Sequence, residues 1–151
     1  IAVAMGWNDH RRAFSHYAMG RLNMSVDLKK AREHFSIAAR LYGQDPSTRL
    51  HAAYAASQLA SFHIAEGNGE AALEQIGPHL DTAGRHENAA LMSTLMLQRA
   101  EALDLTGRSS EARSIRMDSL GWARYGFGPD WAVRAKVREI SSLSPLKRGR
   151  S

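Results

Sequence analysis

The chain matches itself at a shift of 40 residues. Gly67, Ala72, Leu80 and Ala83 recur as Gly107, Ala112, Leu120 and Ala123, and Ala60 recurs as Ala100. An earlier copy lies 41 residues upstream, with Ala31, Phe35 and Gly43 in register with Ala72, Ile76 and Gly84. A fixed period in this range is the signature of stacked helical hairpins. Two helices joined by a short turn cannot bury both of their apolar faces alone, so neighbouring pairs must supply the missing surface. The period therefore constrains the architecture before any single residue is considered.

The local patterns agree. Nearly every segment keeps the 3-4-3 spacing of a helix face, and no stretch alternates like a strand. A first helix is expected from about Val3 to Met24, with Phe14, Tyr17, Ala18 and Leu22 on one face. Asp27 is the expected N-cap of a second helix reaching Tyr42, with Gly43 as its stop. A third helix runs from Pro46 or Ser47 to Glu66, and Gly67-Asn68-Gly69 is a turn. The fourth starts near Glu70 and is expected to kink or break at Gly77-Pro78, because proline lacks the N–H and clashes with the preceding turn. A fifth spans Glu87 to Leu105, with Leu91, Leu95, Ala102 and Leu105 inward. A sixth, capped by Ser109 or Ser110, runs to Tyr125. Tyr125-Gly126-Phe127-Gly128 reads as a loop, and Pro129 opens a seventh helix to Leu143. That helix caps the array, with Trp131, Val133, Val137, Ile140 and Leu143 inward. Residues 1–143 form one domain, and Ser144–Ser151 is a basic, frayed tail. The expected fold is all-α: about three antiparallel helix pairs in an α-α superhelix, closed by the C-terminal helix.

These residues resemble the tetratricopeptide repeat. That family places a small residue in the first helix of a pair and another twelve positions later in the second, as Ala60 with Ala72 and Ala100 with Ala112 do here. Small side chains at this spacing let two helix backbones approach closely. Large residues follow the second alanine in two units, Phe35 after Ala31 and Ile76 after Ala72. The period of 40–41 exceeds the usual 34. Ser15, Ala56 and Met96 stand where the family has its early tryptophan, Arg116 stands where a large apolar residue belongs, and Gly43, Gly84 and Arg124 replace the closing proline. The longer period is similar to the arrays of ATP-dependent bacterial transcription activators, in which the array senses inducers or partners. The resemblance implies a scaffold that binds a protein or peptide partner, not an enzyme. It equally allows a sensor domain of a transcription regulator.

Composition excludes several other classes. There is no cysteine, so disulfides and thiol chemistry are absent. Cytoplasm and periplasm both stay open, with cytoplasm favoured. The first residue, Ile1, is not methionine, which leads us to expect a piece of a longer or processed chain. No apolar run reaches the roughly 18 residues of a membrane span. The seven histidines show no metal-ligand spacing: His86-Glu87 is followed by Asn88, Ala89 and Ala90 and closed by Leu91 rather than histidine. Gly126-Phe127-Gly128 lacks a third glycine and a preceding strand, so no dinucleotide fingerprint is present. No catalytic residue, cofactor site or metal site can be singled out.

The charge is uneven. Residues 1–107 carry 10 Lys+Arg and 11 Asp+Glu, whereas residues 108–151 carry 10 and 4. The basic C-terminal third either solvates a helix face or meets nucleic acid or another anionic partner. Within it, Trp122, Tyr125, Phe127 and Trp131 sit among Arg113, Arg116, Arg124, Arg134 and Arg138. For Trp122 and Trp131 the favoured reading is a joint that docks the capping helix. The expected partner contacts are Tyr17, Tyr54, Gln58 and Gln98 on the concave face, Arg99 at its rim, and Arg116 and Arg124 along a groove on the sixth helix. Exposed end faces of such arrays also make homodimerisation an expectation.

Overall fold

The computed structural model describes residues 7–130 and, beyond them, residues 133–134, 137–138 and 140. Its elements are α1 (Trp7–Asn23), α2 (Leu28–Gly43), a short 3-10 turn (Pro46–Thr48), α3 (Arg49–Ala65), α4 (Gly69–Arg85), α5 (Ala89–Leu105) and α6 (Ser109–Phe127). Asp130, Val133, Arg134, Val137, Arg138 and Ile140 are also helical, within the segment expected as a seventh helix. Trp131, Leu143 and the 144–151 tail fall outside the described residues, as do the first residues of the expected first helix. No strand occurs among the described residues.

Each helix packs on the next, and α3 also packs on α5. The fold is an all-α array of helix pairs, α1/α2, α3/α4 and α5/α6, and the sequence period is its period. α2, α4 and α6 start at residues 28, 69 and 109, and α3 and α5 start at 49 and 89. Burial explains the composition of each class of helix. α3 and α5 are covered on several sides, and α3 buries Ala52, Ala53, Ala55, Ala56, Leu59 and Ala60. Alanine dominates there because it lets several neighbours approach. α2 and α4 are one-sided, burying Phe35 and Ile76 and leaving polar residues in water. Full burial of such a side chain stabilises by about 1.5–3 kcal/mol.

The close helix approach follows the small-residue positions. Ala100 and Ala112 share one buried cluster with Leu103. In the first pair the matching small residue is Gly20, 40 positions before Ala60; a Cβ there would come 2.7 Å from the Phe35 ring. Turns repeat as well. Gly67 and Gly107 both adopt the left-handed backbone, with φ of +77° and +80°. Behind each, the next amide, three residues past the helix end, returns to it: Asn68 N–H to the His63 carbonyl at 2.9 Å and Arg108 N–H to the Leu103 carbonyl at 2.8 Å.

Several boundaries differ from expectation. α4 runs unbroken through Pro78. Gly77 and Pro78 lie on its exposed side, where water can serve the carbonyl that proline leaves without a donor. Gly43 ends α2 from inside the helix, and Gln44 is its C-cap. The third helix opens as the 3-10 turn capped by Asp45, not as α-helix from Pro46. Glu87 is no part of α5: it takes φ +49° in the preceding turn, and Asn88 caps the helix. Neither Ser109 nor Ser110 caps α6; Arg108 holds that place without a side-chain cap bond. Tyr125, Gly126 and Phe127 are helical, and only Gly128 leaves the helix, at φ +79°. Gly126 is needed there for closeness: a Cβ would sit 2.4 Å from the Ala90 nitrogen, so the end of α6 touches the start of α5.

Candidate interaction groove

The first helices of the three pairs, α1, α3 and α5, contribute to one groove. It has a volume of about 250 Å³ and is walled by Tyr17 and Arg21 from α1, Tyr54, Ser57, Gln58 and Ser61 from α3, and Thr94 and Gln98 from α5. Phe127 and Ile140 close one side. Buried Ile140 therefore belongs to the groove wall, so the last described stretch does more than cover the end of α6.

The α3–α5 seam forms the floor. Gln98, only 3% exposed, donates from Nε2 to the Ser57 carbonyl at 2.9 Å and to the Ser61 hydroxyl at 3.0 Å. Its Oε1 accepts the Ser57 hydroxyl at 3.0 Å. A buried amide satisfied this fully fixes the register of two helices. Tyr54 is steadied at the rim, its hydroxyl oxygen accepting Asn88 Nδ2 at 2.7 Å. Arg21 is the one charged side chain lining the groove among the described residues.

Four of the seven expected contact residues, Tyr17, Tyr54, Gln58 and Gln98, thus meet in one groove. Gln98 differs from expectation in its role, since its amide is spent on α3. Arg99, Arg116 and Arg124 do not line this groove. Arg99 has a buried Nε with no hydrogen-bond partner, and its charge acts on Glu111 of α6. Arg116 lies against α5, 3.0 Å from Glu101 and 2.6 Å from Asp104. Burial works against its charge, but hydrogen bonds to Asp104 and Glu101 more than offset this and hold the guanidinium above its usual range. It is a strut between α5 and α6, not the wall of a groove on α6. Arg124 is exposed and stands 3.8 Å from Asp130. Trp122 lines an outer cleft with Asp118, Gly121 and Tyr125.

Arg21, Ser57, Ser61 and Thr94 were missed as groove residues, although the period marks them. Ser57 lies 40 positions after Tyr17, Ser61 after Arg21, and Thr94 after Tyr54. Ile140 and Phe127 lie beyond the repeat and carry no such mark.

The histidines, scattered in sequence, partly gather in space. His16 of α1 and His34 of α2 bring their Nδ1 atoms to 2.9 Å, so one ring donates and the other accepts. His10 and His51 meet edge to face with centroids 5.8 Å apart. No group of three or more potential metal ligands occurs among the described residues. No helix among them is long and apolar enough to cross a membrane.

No protein-family model matches this chain, and no curated protein or solved structure matches it.

Proposed function

We propose that the protein is a tetratricopeptide-repeat-like interaction module that binds an extended peptide or a helix of a partner protein in its concave groove, without catalysis. One observation carries this reading: aromatic rims, a half-buried amide and hydroxyls from three successive hairpins converge on a single groove, at positions that follow the repeat. Aromatic rings supply contact area at low entropic cost, and polar groups at the floor and rim fix the register of a bound chain.

Panning a random peptide library against the protein tests it. Enriched peptides, resynthesised, should bind the wild type and lose on the order of ten-fold in affinity with Gln58→Ala, the loss of a contact of about 1.4 kcal/mol. Gln58 is only half-buried, so circular dichroism should be unchanged. Failure to enrich any peptide, or indifference of binding to Gln58→Ala, would sink the reading.

A second surface supports the nucleic-acid alternative. Tyr125 is 86% exposed on α6, next in sequence to exposed Arg124. Stacking faces beside guanidinium groups suit single strands. Binding of this kind must weaken steeply with salt, and no mobility shift with RNA or DNA at low salt would exclude it.

A further inference from the structure

Beside the groove a second cavity, of about 300 Å³, is walled among the described residues by rings: Phe14 and Tyr17 of α1, Tyr42 of α2, and His51 and Tyr54 of α3. We infer that this cavity is an aromatic cage for a methylated ammonium group.

The walls are set in place by their neighbours. Tyr42 is buried and stacks on His51, with centroids 5.1 Å apart and planes 30° apart. Tyr17 rests against Phe35, centroids 5.5 Å apart at 64°. Tyr54 is tied through its hydroxyl to Asn88. Phe14, by contrast, is 62% exposed and stands at the mouth. A ring this exposed buries little, so packing explains its place beside the cavity poorly.

Its chemistry selects a cation. Among the described residues no aliphatic side chain lines the cavity, as one would for an apolar partner side chain, and no Lys or Arg lines it to repel positive charge. Ring faces are electron-rich and attract a quaternary ammonium, whose charge is spread over methyl groups that also prefer to leave water. Burial and then the neighbouring His10 hold the His51 imidazole below its usual range, so it offers a neutral ring at pH 7. The surrounding part of the chain, residues 1–107, has 10 basic and 11 acidic residues, so the basic excess of the C-terminal third is not local.

Tyr17 and Tyr54 also wall the peptide groove, but the cage stands without the peptide reading, because a free methylated ammonium tests it alone. The probes are tetramethylammonium, choline, and the neutral alcohol in which carbon replaces the nitrogen of choline. They are titrated against the full chain by calorimetry and by ring-proton chemical shifts. Choline should bind on the order of ten-fold more tightly than its neutral analogue. Phe14→Leu, which keeps the apolar surface but removes a ring, should lose most of that preference with unchanged circular dichroism. Tyr54→Phe, which keeps the ring, should retain it. A further titration with N-acetyl-trimethyl-lysine amide assigns the source: tighter binding than choline points to a methylated protein, weaker binding to a free metabolite, and both uphold the cage. Equal binding of the neutral analogue would reduce the site to a plain apolar pocket. Absence of binding by any methylated ammonium, or wild-type choline affinity in Phe14→Leu, would overturn the inference.

Discussion

The second and third hairpins share topology, turn geometry and period, yet they solve the same packing position in opposite ways. In α4 the position is Ile76, fully buried in the cluster of Ala53, Ala60, Ala83, Leu91 and Leu95. Forty residues on, α6 has Arg116, ion-paired to Glu101 and Asp104. The change is concerted: the residues 40 positions before Glu101 and Asp104 are Ser61 and Ile64. Three sites thus differ together, an uncharged set in one hairpin and a charged one in the next. The difference teaches that the repeat specifies helix register, while position in the array specifies what each register site needs. Ile76 is covered by a complete following helix pair; α6 is the last repeat helix, and its site stays partly wet, with the Arg116 side chain 37% exposed.

Exchanging the two solutions tests this. Ile76→Arg would bury a guanidinium with Ser61 and Ile64 where the acids should be, at a cost of at least about 4 kcal/mol. Chemical denaturation should show an unfolded or molten protein. In the other direction, Arg116→Ile removes the cation that both carboxylates face and should cost about 1–3 kcal/mol. The triple change Arg116→Ile, Glu101→Ser, Asp104→Ile should recover that loss, because apolar replacement of a whole ion cluster is often neutral or stabilising. A triple variant less stable than Arg116→Ile alone would mean that the network has a role beyond its site.

The next largest effect concerns the closing contact of α6. Gly126→Ala would force the α6 end away from Ala89 and Ala90, at about 1–3 kcal/mol. The Gly121→Ala control sits on the same helix with open space at its Cβ and should be neutral or slightly stabilising. Comparable melting temperatures for the two variants would refute the close approach.

Gly126 also shows where sequence reading stops. The first six helices, their pairing and most of the buried stripe followed from the period and from 3.6-residue spacing, and Asp27 caps α2 as expected, accepting Lys30 N–H at 3.1 Å. An aromatic-Gly-aromatic-Gly run points to a loop on glycine's backbone freedom alone. Its actual use is the missing Cβ, and that depends on a partner helix more than 30 residues away in sequence. Pro78 misled for a related reason: its cost depends on whether it faces core or water. In the groove, Tyr17, Tyr54, Gln58 and Gln98 were legible because helix periodicity puts them on one face. Arg116 was not, because charge on a helix is read as surface until its acids are located in space.

Acidity should discriminate the hairpins next. His16, His51, His63 and His79 are all held below the usual imidazole range, chiefly by burial, with His34, Arg12 and Arg40 adding to the effect at His16. The unfolded chain therefore takes up protons first, so stability is fully present above about pH 6.5 and declines as pH falls through the lowered folded values. Melting temperature should drop between pH 7.5 and pH 5. His16→Gln should flatten part of the decline, since a second proton on the His16–His34 pair breaks its hydrogen bond. No histidine lies in α5 or α6, so hydrogen exchange at low pH should accelerate in α1–α4 first. Uniform acceleration would show that the array unfolds as a single unit.

The smallest effect isolates the turns. Gly67 and Gly107 leave their helices in the left-handed conformation, and Glu87 does the same between α4 and α5. The local hydrogen bonds match: Asn88 N–H returns to the Ala83 carbonyl at 3.1 Å, as Asn68 and Arg108 return to theirs. Only the residue differs, and a side chain in this region costs about 1–2 kcal/mol relative to glycine's freedom there. Part of that gain is lost to the greater entropy of an unfolded glycine. Glu87→Gly should therefore stabilise by about 0.5–1 kcal/mol, and Gly107→Ala should destabilise by about 1 kcal/mol, read from paired urea midpoints at constant slope. Glu87 is exposed and in none of the ion pairs found among the described residues, so no lost contact confuses the comparison. Were Glu87→Gly to destabilise, the turn between hairpins would be held by something other than the backbone geometry it shares with the turns within them.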